Sequence, residues 1–133
     1  MALPLSTPID MSNHPITTTE IGQLTENIAI DYLTNNGLEL IDKNVHSRLG
    51  EIDIVMKQDG IWVFVEVKYR KNSHFGGAIS AVSKAKQKKI KLCAGFYFQQ
   101  HNLNEYNTPC RFDVVALDGP INQLKITWLE NAF

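Results

Sequence analysis

Three residues in one short stretch of this 133-residue chain, Asp53, Glu66 and Lys68, have the types and spacing to do chemistry, and they flank the dipeptide Asp59-Gly60. Asp-Gly tolerates the positive φ angles of a two-residue type I′ turn, and apolar runs lie on both sides of it, so residues 50–68 read as a β-hairpin. Counting outward pairs Gln58 with Ile61, Lys57 with Trp62, Val55 with Phe64 and Asp53 with Glu66. Facing residues of an antiparallel pair share one side of the sheet, with Cβ atoms about 4.5–5.5 Å apart. Lys68 falls on that side too, opposite Glu51. Two carboxylates at about 5 Å repel by roughly 1 kcal/mol in water and roughly 3 kcal/mol at an effective dielectric of about 20. A divalent cation between them would remove that cost.

The competing explanation is a solvated patch where the hairpin leaves the core. The strand pattern favours a site. Ile61, Val63, Val65 and Val67 make one face wholly apolar, and Trp62 and Phe64 begin the other, which turns charged only at Glu66 and Lys68. A strand apolar on both sides is usually central and covered. Charges entering at its end mark the rim of a pocket.

The elements that must position these groups follow from hydrophobic period and stop signals. From about Thr19 to Asn36 the pattern is helical, with Ile21, Leu24, Ile28, Tyr32 and Leu33 on one face and Gly37 as the stop. Glu26 lies at the edge of that face, near Ala29 and Leu33, where its side chain is only half exposed. On this pattern alone, a boundary glutamate reaching to water and a functional one are equal readings. Leu38 to Val45 reads as a short strand, and His46 to Gly50 as the turn into the hairpin.

After Arg70 and Lys71 comes a loop with His74, Phe75, Gly76 and Gly77. A helix then starts near Ser80 or Ser83 and runs to about Gln100. Its first half carries Lys84, Lys86, Lys88, Lys89 and Lys91, of which Lys84, Lys88 and Lys91 form one stripe at i, i+4, i+7 spacing. Arg111 to Leu117 reads as a strand reached through this long crossover, which favours a parallel neighbour to the Ile61–Lys68 strand. Leu124 to Leu129 adds an edge strand.

Composition bounds the function. Hydrophobic residues make up 44% of the chain, which suits one domain with an ordinary core, and the net charge is −1, so affinity for nucleic acid must come from local clustering such as the lysine stripe. Residues 1–19, with Pro4, Pro8 and Pro15, read as a flexible tail ahead of a domain over 20–133. No stretch has signal-peptide or membrane-span character, so the expectation is a cytoplasmic protein with no membrane partner. Cys93 and Cys110 lack Cys-x-x-Cys spacing and read as buried thiols.

Taken together, Glu26, Gly50-Glu51-Ile52-Asp53, Val63-Phe64-Val65-Glu66-Val67-Lys68 and Arg111-Phe112-Asp113-Val114-Val115 resemble the bacterial YraN-like family of uncharacterised proteins, from Gly22 to the C-terminus. That family is similar in turn to the PD-(D/E)xK nucleases, above all the archaeal Holliday-junction resolvases. The resemblance implies an α/β, restriction-endonuclease-like αβββαβ core, a mixed sheet flanked by helices. It also implies a Mg²⁺- or Mn²⁺-dependent endonuclease acting on DNA, including branched or structured forms.

Carried over by position, Asp53 is the first motif acid, Glu66 the second, Lys68 the motif lysine, and Glu26 the helix-borne acid, which decides the open reading of Glu26 toward function. Ile52 stands where the motif has a proline before its first acid. Asp53 and Glu66, with the Val67 carbonyl, are the expected metal ligands. Arg70, Lys71, Lys84, Lys88 and Lys91 are the expected backbone contacts to nucleic acid. A homodimer using Phe75 and the Trp128 to Phe133 tail is a further expectation. The alternative from a different class is a catalytically silent nucleic-acid-binding module of the same fold.

Overall fold

The computed structural model describes residues 15–72 and 82–133. The expectations placed on His74, Phe75, the Gly76-Gly77 pair, Ser80 and most of the tail lie outside the described residues.

Helix α1 spans Thr18–Asn35 and begins in a capping box. Thr17 Oγ1 accepts from the Glu20 amide at 3.1 Å, and Glu20 Oε1 accepts from the Thr17 amide at 2.8 Å, so two of the four orphan donors at the helix start are satisfied reciprocally. Helix α1 therefore starts slightly earlier than periodicity suggests, because hydroxyl chemistry rather than the first apolar residue sets its start. Gly37, at φ +96°, ends it.

Strands β1 (Glu39–Ser47), β2 (Gly50–Gln58) and β3 (Ile61–Arg70) form a meander. The β2–β3 turn has Asp59 at φ 51° and Gly60 at φ 82°, the left-handed pair that a type I′ turn demands. Helix α2 (Lys84–Gln100) is capped by Ser83, whose hydroxyl accepts from the Lys86 amide at 3.1 Å. Strands β4 (Cys110–Asp118) and β5 (Lys125–Leu129) complete a five-stranded sheet in the order β1-β2-β3-β4-β5. The β3–β4 pair is parallel and the others antiparallel, as the long crossover requires. This is the mixed α/β sheet with flanking helices expected from the sequence.

The sheet divides the core into two layers. Ala29 and Leu33 of α1 pack with Ile54, Met56, Val63, Val65, Val115 and Leu117 on one side. Ile90, Cys93, Ala94, Tyr97 and Phe98 of α2 pack with Ile52, Val55, Phe64, Val114 and Ala116 on the other. Cys93 is buried as expected, but Cys110 is exposed, because it begins β4 where the loop from α2 enters the sheet. The Trp128 to Phe133 segment makes contacts within the chain. Trp128 donates to Asp113 at 2.9 Å, and Phe133 stacks on Phe112 with ring centroids 5.4 Å apart, so the chain end seals its own sheet.

Candidate active site

The hairpin register follows the count from the turn as far as Ile54↔Val65 and then stops. Continued pairing would bring the Val67 amide to the backbone of Ile52. Instead Asp53 Oδ2 accepts from that amide at 2.8 Å, so a side chain replaces the next rung of the ladder. The two strands part at Asp53. Lys68 consequently does not pair with Glu51, which is exposed and lies 3.7 Å from His46 on β1.

The parting makes room for groups from both helical layers. A cavity of about 300 Å³ opens there, lined on the α1 side by Ile21, Gly22, Thr25 and Glu26, by Asp53 from β2, by Glu66, Val67 and Lys68 from β3, and by Lys86 from α2. All four expected catalytic residues thus line one cavity, although they come from three elements. Thr25 is buried with its hydroxyl turned back onto the Ile21 and Gly22 carbonyls at 2.9 and 3.1 Å, a contact that spends the hydroxyl within α1.

Asp53 and Glu66 form the electrostatic centre. Glu66 is only 4% exposed. The Asp53 carboxyl is pushed up to about 7, first by burial and then by the Glu66 charge beside it, while the Val67 amide acts in the opposite direction. The closeness of the Glu66 carboxyl adds to the upward push on Asp53, while the charge of Lys86 opposes it. Glu26 is raised as well, by burial and then by Asp53, against a hydrogen bond from Asn44 and the charge of Lys43. Two acids raised by burial and by a neighbouring carboxylate, lining one cavity, mark a functional-site candidate.

Lys86 is the site residue that sequence reasoning missed. Its Nζ lies 2.8 Å from Glu66 Oε2, and its ammonium is held charged chiefly by that hydrogen bond. It was passed over because it falls off the Lys84, Lys88, Lys91 stripe. Those three line a separate open groove of about 590 Å³ with Gln87, Leu92 and Glu105. Lys91 also lies 5.7 Å from the Phe112 ring and 5.8 Å from the Phe133 ring.

Of the other expected phosphate contacts, Lys71 is exposed in the turn after β3. Arg70 lies outside the cavity, with Nε and Nη2 donating to Asp118 at 2.8 and 3.2 Å. Parallel pairing sets Arg70 beside Asp118, so its guanidinium clamps the ends of β3 and β4. Asp113, prominent in the motif around β4, is fully buried outside the cavity. It accepts from Arg111 Nε at 3.1 Å, Trp128 Nε1 at 2.9 Å and the Asn131 amide at 2.8 Å, which makes it a structural anchor.

The donor set fits a small hard cation. Among the described residues no three His, Cys, Asp or Glu side chains are already gathered as a ligand cluster. Mg²⁺ asks for less, since it retains several waters and takes one or two carboxylates. Asp53 and Glu66 supply two, the Val67 carbonyl is adjacent, and the Lys86 ammonium at Glu66 already occupies a cation's position.

The fold and the cavity therefore define an α/β protein with a five-stranded mixed sheet, consistent with a nuclease-like core, in which buried Glu66 and half-buried Asp53 are bordered by lysines. The comparisons with known proteins give the particular family. The model of the uncharacterised protein family UPF0102 matches residues 25–117, and the chain belongs to that family, the YraN-like one. It is 58% identical over 115 residues to a UPF0102 protein of Colwellia psychrerythraea, covering 86% of this chain and 89% of that protein. It is 47% identical over 113 residues to one of Shewanella oneidensis, covering 85% and 98%, and 43% identical over 116 residues to one of Legionella pneumophila, covering 87% and 96%. No described helix is long and apolar enough to cross a membrane.

Proposed function

We propose that this protein is a Mg²⁺- or Mn²⁺-dependent endonuclease that hydrolyses phosphodiester bonds in DNA, including branched or structured forms. The observation that carries the reading is the pairing of half-buried Asp53, its carboxyl pushed up to about 7, with buried Glu66, in a cavity that Glu26, Lys68 and Lys86 also line. Asp53, Glu66 and the Val67 carbonyl would hold the ion. Bound there, a divalent cation supplies Lewis-acid polarisation of a phosphoryl oxygen and a more acidic water.

The chain's own residues do the rest. The Asp53 carboxylate is aimed by the Val67 amide, so its direction does not depend on the cation. Lys68 presents an ammonium at the cavity wall, suited to the charge that develops on a phosphate as it is attacked. Glu26, on the opposite wall, accepts a hydrogen bond from the attacking water and orients it. Lys71 and the Lys84, Lys88, Lys91 groove hold the backbone of the nucleic acid, which positions it without reading sequence. Cutting both strands of a branched substrate takes two such sites, so that substrate class carries a homodimer with it.

Cleavage of labelled duplex, single-stranded and four-way-junction DNA with Mg²⁺ or Mn²⁺ tests the reading, with Asp53→Ala and Lys68→Ala as controls. Metal-dependent cutting lost in both variants is the expected result. One contact favours a second reading, a nucleic-acid-binding module without catalysis, because Lys86 closes Glu66 off at 2.8 Å. Salt-sensitive DNA binding that survives both substitutions, with no cutting under any metal, would select it.

A further inference from the structure

Lys86 occupies a position that local structure disfavours. It lies in the first turn of α2, which also holds Lys84 and contains no acidic residue. The amides there point outward and the macrodipole is positive, so a cation is disfavoured. What offsets this is tertiary: Glu66 at 2.8 Å, with the charges of Asp53 and Glu51 acting in the same direction. The two partners differ in freedom. The Glu66 side chain is 4% exposed and fixed in β3, whereas that of Lys86 is 49% exposed on a flexible four-carbon stem. If the pair separates, the lysine is the member that moves.

A divalent cation and the Lys86 ammonium compete for Glu66 Oε2. A double and a single positive charge held a few ångströms apart repel even in bulk water, and more strongly in a half-buried cavity. We propose that Lys86 is a tethered counter-ion, which holds Glu66 while the site is metal-free and transfers to a phosphate oxygen of the nucleic acid when a divalent cation takes the carboxylate. The proposal rests on the reading of this cavity as a metal-dependent phosphodiester site. It makes Lys86 a positioning residue for the acid pair in one state and a substrate contact in the other. Ion binding thereby frees a cationic donor at the cavity wall, so metal and nucleic acid bind cooperatively.

The test reads the lysine directly. In the metal-free protein, NMR of lysine side-chain ammonium groups shows one slowly exchanging signal, absent from Lys86→Met, which disappears as Mg²⁺ saturates the site. Calorimetry with Mn²⁺ alone, at pH 8, gives an affinity about tenfold or more tighter in Lys86→Met and in Lys86→Gln than in the wild type, because a charge-assisted hydrogen bond no longer competes for the carboxylate. A signal that persists at saturating Mg²⁺, or variants that bind Mn²⁺ equally or more weakly, overturns the proposal while leaving the metal site intact, provided Asp53→Asn abolishes binding. Absence of Mn²⁺ binding in every version, wild type included, overturns the metal-site reading and this proposal together. The wild-type NMR titration needs no variant, so a substitution that fails to fold does not block the decision.

Discussion

Replacing Asp53 with asparagine should abolish a pH dependence that the wild type carries in its metal-free form. The Asp53 carboxyl is pushed from an ordinary 3.8 up to about 7, by burial first and by the Glu66 charge second. The folded protein therefore binds more protons than the unfolded chain between about pH 4 and pH 7, and stability falls as pH rises through that window. Each pH unit within it costs up to about 1.4 kcal/mol, or roughly 5 °C of melting temperature for a domain of this size. Above the window the carboxylate pair is fully charged and the penalty is complete.

Asparagine at 53 has the shape to keep both contacts. Its carbonyl oxygen accepts from the Val67 amide as the carboxylate does, and its neutral amide group faces Glu66 as a donor without adding a charge. Thermal melts in EDTA from pH 4.5 to 8 should show the wild type losing stability progressively and Asp53→Asn nearly flat, the variant being the more stable by about 1–3 kcal/mol at pH 8. Excess Mn²⁺ should reverse the order at pH 8, since an ion at 100 times its dissociation constant stabilises by about 2.7 kcal/mol and the variant has lost a ligand. Wild-type melts that are level between pH 5 and pH 7, or that rise with pH, would refute the reasoning outright.

Three further outcomes check the fold and the surface. Asp113→Ala removes the acceptor for Arg111, Trp128 and the Asn131 amide at a fully buried site, and should lower stability by about 3–5 kcal/mol, read as a lower urea midpoint at unchanged slope. Gly50→Ala would place a methyl 3.0 Å from the Lys89 carbonyl oxygen and 3.1 Å from its Cβ. Forcing α2 off the sheet there should cost about 1–3 kcal/mol in thermal unfolding. Lys84→Ala with Lys88→Ala, in the groove outside the acidic cavity, should reduce the slope of log affinity against log salt by about 2 for duplex DNA, while Mn²⁺ affinity stays unchanged.

Much of the framework was legible because it rests on short-range rules. The Asp59-Gly60 turn has only one comfortable geometry, and side chains alternate strictly along a strand. Register from Gln58↔Ile61 to Ile54↔Val65 could therefore be read off by counting, and with it the approach of Asp53 to Glu66. The parallel β3–β4 pair followed from connection length, and α1 from its period and Gly37. Glu26 was placed at the edge of the α1 apolar face by the same period, though nothing local said what it faced.

What only the tertiary structure decided lies where elements distant in sequence meet. Strand parting at Asp53 required its carboxylate to outcompete a backbone carbonyl for the Val67 amide, a contest that neither periodicity nor turn chemistry registers. It is why Lys68 lines a cavity instead of facing Glu51. Lys86 reaches Glu66 through the packing of α2 against the sheet, and the lysine stripe that stood out by spacing faces another groove, because the α2 core residues fix the helix's rotation. Arg70 meets Asp118 because parallel pairing brings two strand ends together. Residue types and strand period determined which groups could form the acid pair. Long-range packing decided which cation answers it, because the charge nearest a buried carboxylate is set by the helix that covers it.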